Sequence, residues 1–316
     1  MSSPSTIVGV DLGGTKIYAV AVVDGEVVAT AKRSTPRVGG PAAVLERVAD
    51  TIDKLGVAGA VRRIGVGGPG PSIAGSSLLG PAANLPGWDR PVDIAGALRR
   101  RFADAEVRVD NDVNAAARAE WLHGAGAGAD DLLAVFVGTG VGGGVVLDGR
   151  VRRGAAGLAG EIGHLVVVPD GEPCGCGGRG HLEAYAGRAG IERIARRRHA
   201  EGEATALVEL AGDGRMKSSV IAAAVADGDA MAVELVDRAA DVVGQAVASV
   251  ALVVDVALVA VGGGLAERFG EPFLRRIEAA AATALPWPSP VRVVPTVLGD
   301  VAGGLGAALL FDEERS

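Results

Sequence analysis

Four clusters of residues have the types and spacing that chemistry requires. Two are glycine turns. Gly13-Gly14-Thr15-Lys16 follows Asp11, and Gly138-Thr139-Gly140-Val141-Gly142-Gly143 follows an apolar run. A phosphate must approach the backbone closely, and exposed N–H groups in a tight turn bind anions. Two such turns suit a polyphosphate held from both sides; each taken alone also fits an ordinary hairpin. The second matches G-x-G-x-x-G, but the dinucleotide fingerprint needs a helix directly after its glycines. Here a β run and a hairpin follow instead. No G-x-x-x-x-G-K-[ST] segment occurs in the chain. Asp11 ends a strand and is not apolar core. It suits Mg²⁺ held through water, since Mg²⁺ keeps much of its shell. Lys16 either reaches a phosphate or is solvated. A third turn, Gly262-Gly263-Gly264, lies between an apolar strand and a helix from Leu265 to Phe269. Such a unit suits contact with a nucleoside at a helix N-terminus, or serves as plain helix entry.

The third cluster is Asp110-Asn111-Asp112, where a strand from Val107 to Val109 runs into a helix from Val113. Asp and Asn favour helix caps. Capping explains one of the three and leaves two at a sheet's carboxyl edge, where ligands bind in α/β folds. The fourth holds His164, Cys174, Cys176 and His181 within eighteen residues. Its linking segment is glycine-rich and has little core of its own. Structural zinc takes four nitrogen or sulfur ligands, so a bound zinc would organise it. A reactive thiol pair or a metal-free loop is the alternative. Glu161 and His164 lie three apart, but Gly160 and Gly163 argue for a turn over a helix. His123 and His199 have no assigned role, and Trp121 and Trp287 read as packing.

The elements that must position these groups alternate. Strands are expected at Ile7–Val10, Ile17–Val23 and Val27–Arg33, with Asp24-Gly25 as a hairpin signal. The same order of strand, glycine turn, strand, Asp-Gly and strand recurs from Leu132 to Arg153, about 125 residues later. Such a duplication implies two related halves facing one cleft. Helices are expected at Pro41–Leu55, Val92–Arg101, Val113–Leu122, Leu182–His199, Ser218–Ala226, Met231–Val254 and Val301–Leu310. Strands are expected between them at Ile64–Gly67, Leu258–Val261 and Val291–Val294. Helices interleaved with strands make the class α/β. The last helix is mostly Ala, Gly and Leu, which permits close packing.

Composition bounds the rest. The 316 residues can bury a large core, and 49% are hydrophobic but only 3% aromatic, so Val, Leu, Ile and Ala must build it. A net charge of −7 argues against a general nucleic-acid binder. Met1 to Thr6 lacks the pattern of a signal peptide. The most apolar stretch, Ala246 to Val261, is broken by Asp255 and reads as a helix end followed by a buried strand, not a membrane span. Two cysteines cannot make a disulfide framework. The expectation is a cytoplasmic protein.

Asp11-Leu-Gly-Gly-Thr-Lys16, Asn111-Asp112-Val-Asn114, Gly138 to Gly144, Glu161-Ile-Gly-His164, Cys174-Gly-Cys176-Gly and Gly262-Gly-Gly264 together resemble the ROK family. That family comprises repressors, uncharacterised reading frames and sugar kinases. The likeness runs in order from about residue 7 to about residue 310. It implies the actin-like ATPase (ribonuclease H-like) fold, with two α/β domains around a central cleft. The domains would be 1–121 plus 301–316, the smaller, and 122–300, carrying the second phosphate loop, the zinc loop and the nucleoside site. The resemblance assigns Asp112 as catalytic base and Asn84, Asn111, Asp112, Glu161, His164 and Glu183 to the sugar. Asp11, Gly13, Gly14, Thr15, Lys16, Gly138, Thr139, Gly140, Gly142, Gly262, Gly263 and Gly264 fall to ATP. Gly68-Pro69-Gly70 would shape the pocket wall. The family's zinc pattern is one His and three Cys; here His181 stands where the third Cys is expected.

The reading is therefore an ATP-dependent sugar kinase with Mg-ATP and structural zinc. Its acceptor is the 6-hydroxyl of glucose or a related hexose. A carboxylate suits the base because the transition state is loose and positioning outweighs basicity. Mannose, fructose, N-acetylglucosamine and N-acetylmannosamine remain open as acceptors, and polyphosphate as donor. A sugar-sensing transcription regulator would carry an added helix-turn-helix ahead of the first strand, for which a strand beginning by Thr6 leaves no room. A non-catalytic sugar binder would not need Asp11, Asp112 and both phosphate turns. Expected partners are sugar and ATP, with no nucleic acid or membrane, in a homodimer or homotetramer.

Overall fold

The computed structural model describes residues 6–57, 61–72, 76–82, 84–288 and 290–312. The chain divides into two compact units, Met1–Asp130 with Gly144–Gly160 and Leu298–Ser316, and Asp131–Gly143 with Glu161–Val297. The sequence reading cut the chain at 121/122 and 300/301. In the structure the segment Gly144–Gly160 groups with the N-terminal unit.

The first unit is built on β1 (Thr6–Leu12), β2 (Lys16–Val23), β3 (Glu26–Ser34), α1 (Gly40–Asp53), β4 (Val61–Gly68), the short pair β5 (Leu78–Leu79) and β6 (Val92–Asp93), α2 (Ile94–Arg99), β7 (Glu106–Asn111) and α3 (Asp112–His123). Its sheet runs β3-β2-β1-β4-β7. β1 pairs antiparallel with β2 and parallel with β4, which is parallel to β7. Two-residue alternation along β1 sends Val8, Val10 and Leu12 into a core with Ile17, Val44, Val48 and Ile52. Val20 and Val22 of β2 pack in a second cluster with Leu305, Ala308 and Leu309.

The second unit holds β8 (Leu132–Val137). β9 (Val141–Leu147) crosses the unit boundary after Gly143 and returns as β10 (Arg150–Arg152). α4 (Leu182–Ala186), α5 (Arg188–Ala200), α6 (Ala206–Ala211), α7 (Ser218–Ala226) and α8 (Ala230–Val254) follow, then β11 (Leu258–Gly262), α9 (Gly264–Ala284) and β12 (Arg292–Pro295). The sheet order is β10-β9-β8-β11-β12, the same order as the first sheet. The inferred duplication is thus a duplication of topology. Both hairpins turn on an Asp-Gly pair at positive φ, 52° and 83° at Asp24-Gly25 and 51° and 69° at Asp148-Gly149.

Several elements differ from the sequence reading: the helix expected over Val92–Arg101 is Ile94–Arg99, preceded by β6, and β5 and α6 were not expected. The helix expected over Leu182–His199 breaks at Gly187, whose extended backbone separates α4 from α5. The helix expected over Leu265–Phe269 runs on to Ala284 through a kink at Gly270, with Pro272 just beyond. The last helix, α10, is Ala302–Ala308, flanked by 3₁₀ turns. Its small residues do permit close packing: a side chain at Gly9 of β1 would come within 1.9 Å of the Gly304 carbonyl. Among the described residues no helix is long and apolar enough to cross a membrane. The apolar stretch from Ala246 is, as expected, the end of α8, closed by Asp255 at φ 57°, and then β11.

Candidate functional site

In the first unit, β1 and β2 are joined by the first glycine turn. The Gly13 N–H donates to the Lys16 carbonyl at 2.9 Å, and the Thr35 hydroxyl donates to the Gly13 carbonyl at 2.6 Å. A side chain at Gly14 would meet the Asn84 carbonyl at 2.8 Å, so glycine is what lets the exposed Asn84 lie against this turn. Asp11 sits one residue before the end of β1, against Gly303 of α10. Burial pushes its pKa up to about 6, opposed by the charge of Lys16 and reinforced by Asp300. The Lys16 ammonium donates to Asp300 Oδ1 at 2.6 Å, and Lys32 lies 3.6 Å from Oδ2. The hydrogen bond from Lys16 holds the Asp300 carboxyl below the ordinary range. Lys16 is therefore paired, and Asp300 is a member of this cluster that the sequence reading missed.

The three polar residues at the end of β7 divide their work. Asp110 is 1% exposed. Its carboxylate accepts from Arg153 Nε at 2.8 Å, from the Ser72 hydroxyl at 2.6 Å and from the Asn111 N–H at 2.8 Å. Asn111 is the helix cap: its Oδ1 accepts from the N–H groups of Val113 and Asn114 at 2.9 and 3.1 Å. Its Nδ2 donates to the Gly70 carbonyl at 3.1 Å, which leaves one amide hydrogen for any ligand. Asp112 opens α3 half-buried, with Oδ1 accepting from the Val113 N–H at 2.9 Å. An anionic side chain is favoured at a helix N-terminus.

In the second unit, the Gly138 N–H donates to the Gly140 carbonyl at 2.9 Å and closes the turn between β8 and β9. The carbonyls of Gly138 and Thr139 accept from the first N–H groups of α5, on Arg188 and Ala189, each at 3.0 Å. This grip is the physical reason for the break at Gly187. Arg188 Nη2 also donates to Thr139 Oγ1 at 2.9 Å. Glu183 of α4 touches the same turn, with Oε2 accepting from the Val141 N–H at 3.1 Å. The third glycine turn lies beside the end of β8: Gly263 has φ 88°, and a side chain there would meet the Val137 carbonyl at 2.7 Å.

Glu161 precedes a 3₁₀ turn, Ile162–His164, as the flanking glycines implied. His164 Nε2 lies 3.9 Å from Glu161 Oε2. The loop beyond is folded by its own backbone. The Cys174 N–H donates to the Gly178 carbonyl at 2.8 Å and the Gly180 N–H to the Glu172 carbonyl at 2.8 Å. One ligand atom each of His164, Cys174, Cys176 and His181 falls within 4.8 Å of the others. Cys176 Sγ is 3.2 Å from His181 Nδ1, and Cys174 Sγ is 3.8 Å from Glu183 Oε1. Burial pushes the Cys174 thiol pKa up. Glu183 thus bridges the second glycine turn and the Cys-His loop with its two oxygens.

A family model described as "ROK family" matches residues 7–314. The chain belongs to the ROK family. It is 33% identical over 313 residues to a glucokinase of Thermotoga maritima, covering 97% of each chain. Among solved structures it is similar to a ROK hexokinase from Thermus thermophilus, with TM-score 0.79, 36% identity and 96% and 97% of the two chains covered. A second is a ROK family glucokinase from Streptomyces griseus in complex with glucose and AMPPNP, with TM-score 0.79, 35% identity and 96% and 98% covered. The fold is the two-domain α/β actin-like ATPase fold.

For this ROK protein the structure brings together most of what the sequence named, within each unit. Asp11, Gly13 to Lys16 and Asn84 share one neighbourhood, and Asn111 and Asp112 share the start of α3. The second and third glycine turns adjoin, and Glu183 joins the former to the cysteines. The residues missed are Arg153 and Ser72, which hold Asp110, together with Asp300 and Arg188. Each acts through a side chain distant in sequence from its partner. Only Arg188 left a local sign, a glycine just before it inside an otherwise helical run.

Proposed function

We infer that this chain is an ATP-dependent sugar kinase, and that its acceptor is the 6-hydroxyl of glucose or a related hexose. The observation that carries the reading is Asp112. Its carboxylate opens α3 beside a cap and a buried ion pair that fix its backbone. The surrounding chain is similar over nearly its full length to a glucokinase solved with glucose and AMPPNP.

In the proposed reaction the sugar oxygen attacks the γ-phosphorus. The bond from that phosphorus to the β-bridging oxygen breaks, ADP leaves, and the hydroxyl proton passes to the Asp112 carboxylate. General-base help of this kind is worth about 10²–10⁴-fold. The turns at Gly13–Lys16 and Gly138–Gly143 offer N–H groups to the phosphates, and Gly262–Gly264 adjoins the nucleoside. Asp11 fits the Mg²⁺ of Mg-ATP, since a carboxylate disfavoured by burial gains from a cation. When bound, Mg²⁺ neutralises charge on the transferring phosphoryl group. Asn84, Glu161, His164 and the remaining N–H of Asn111 are proposed sugar contacts. Glu183 has its carboxylate on the Val141 N–H, so its proposed role is to set the turn beside the sugar.

The Cys-His loop fits structural zinc. Two thiols and two imidazoles are a suitable donor set, and ligand atoms within 4.8 Å of one another need only modest side-chain rotation to reach bonds of about 2.0–2.3 Å. His181 then takes the place of a third cysteine, and the metal would supply a cross-link for a loop without a core. The proposal includes a cytoplasmic location, in keeping with two free cysteines, and a homodimer or homotetramer.

The test is a coupled assay of ADP release across glucose, mannose, fructose, N-acetylglucosamine and N-acetylmannosamine, with ATP and polyphosphate as donors. Sugar-dependent ADP release supports the reading. No turnover with any sugar under either donor, in a folded protein, removes it.

A further inference from the structure

We propose that Arg188 is a positioning residue for the nucleotide phosphates, fixing the Thr139 hydroxyl as a hydrogen donor toward them. The proposal rests on the reading of Gly138–Gly143 as a phosphate turn and deepens it.

Arg188 is the first residue of α5. Its own N–H and that of Ala189 take the carbonyl oxygens of Gly138 and Thr139, each at 3.0 Å. Those two oxygens would repel a phosphate, and the bonds direct them to the helix instead. The guanidinium acts on the same turn. Nη2 donates to Thr139 Oγ1 at 2.9 Å, while Nη1 donates to the Met216 carbonyl at 2.9 Å and lies 3.8 Å from Glu192 Oε2. Glu192 is itself held, by Arg196 Nε at 3.0 Å and by the Met216 N–H at 3.1 Å. The arginine therefore has a fixed plane.

A guanidinium has donors and no acceptor. Thr139 Oγ1 must accept from it, so the single hydroxyl proton is directed to some other acceptor. The Arg188 side chain is only 13% exposed, whereas Thr139 is exposed. The threonine is the one that meets a ligand, and the arginine dictates what it offers. A phosphate oxygen is the acceptor that a donor hydroxyl in a glycine turn suits.

The test is calorimetric binding of ADP and of adenosine to the parent, T139V, R188M, R188K and the T139V/R188M double variant. T139V and R188M should each weaken ADP about tenfold and leave adenosine within about twofold. The double variant should bind ADP about as T139V does, because the arginine acts through the hydroxyl. R188K, which keeps an N–H donor for the Thr139 hydroxyl, should recover part of the loss. In turnover, KM for ATP should rise and KM for sugar should not. Equal losses for ADP and adenosine in R188M would make the role one of packing and overturn the proposal. Multiplying losses in the double variant would mean that Arg188 meets phosphate directly, and would overturn it too. If T139V weakens ADP but Arg188 variants do not, the proposal alone fails. If T139V binds ADP like the parent, the phosphate-turn reading fails first. Should R188M not fold, R188K with and without T139V decides the coupling.

Discussion

Arg153 reaches Asp110 with both Nε and Nη2, at 2.8 and 2.7 Å, across 43 residues of sequence. Asp110 is the residue two before the proposed base. The same carboxylate takes the Ser72 hydroxyl and the Asn111 N–H. The pair thus fixes the end of β7 just where the backbone turns to start α3.

Arg153→Met should leave a buried carboxylate unpaired and cost about 3–5 kcal/mol of stability. Asp110→Asn in the same chain should recover much of it, because the pair is then replaced and not broken. Urea denaturation of the two single variants and the double variant measures this. A single Arg153→Met whose midpoint matches the parent would mean the pair does not anchor the strand end.

Asp112→Asn should lower kcat by about 10²–10⁴-fold with KM for sugar little changed. Asparagine keeps the size and an acceptor for the Val113 N–H, so α3 should keep its first turn. Single-turnover kinetics with the best sugar of the panel separates chemistry from product release. Parent-like turnover in this variant would remove Asp112 from the mechanism.

The sequence showed the glycine turns because phosphate binding and tight turns both require residues without side chains, and such residues cluster. It showed Asp110-Asn111-Asp112 because three polar residues in a row at a strand end exceed what a cap needs. The structure assigns the cap to Asn111 and the anchor to Asp110, a division no spacing encodes. Lys16 and Asp300 lie 284 residues apart and leave no local pattern. Arg188 was hidden for another reason. Helical periodicity ran through Leu182–His199, and one glycine inside a helical pattern is tolerated. The grip of the second turn on α5 decides the break, and that contact is tertiary.

Asp11 should make the metal-free protein less stable as pH rises. Its folded pKa is about 6 against an ordinary 3.8, so the folded state binds more protons between those values. Stability from this group is fully present below pH 3.8 and is lost as pH rises through about 6. The loss is of order 1–3 kcal/mol. Asp11→Asn should abolish this part of the pH dependence and be more stable than the parent at pH near 7. Denaturation midpoints of the two proteins in chelator, from about pH 4 to 7.5, give the difference curve. A flat difference would mean Asp11 is solvated.

Cys176→Ala should remove one of four converging ligand atoms and lower zinc content, stability and sugar affinity together. The link to affinity runs through Glu183, which meets Cys174 Sγ with one oxygen and the Val141 N–H with the other. Loosening the Cys-His loop should therefore be felt in the second glycine turn. Metal analysis of the purified protein, thermal unfolding with and without chelator, and KM for sugar give three independent readings. His181→Cys should keep the metal, since it substitutes one zinc ligand for another. A protein that binds no zinc, and a Cys176→Ala variant as stable and active as the parent, would leave the four side chains as a metal-free cluster.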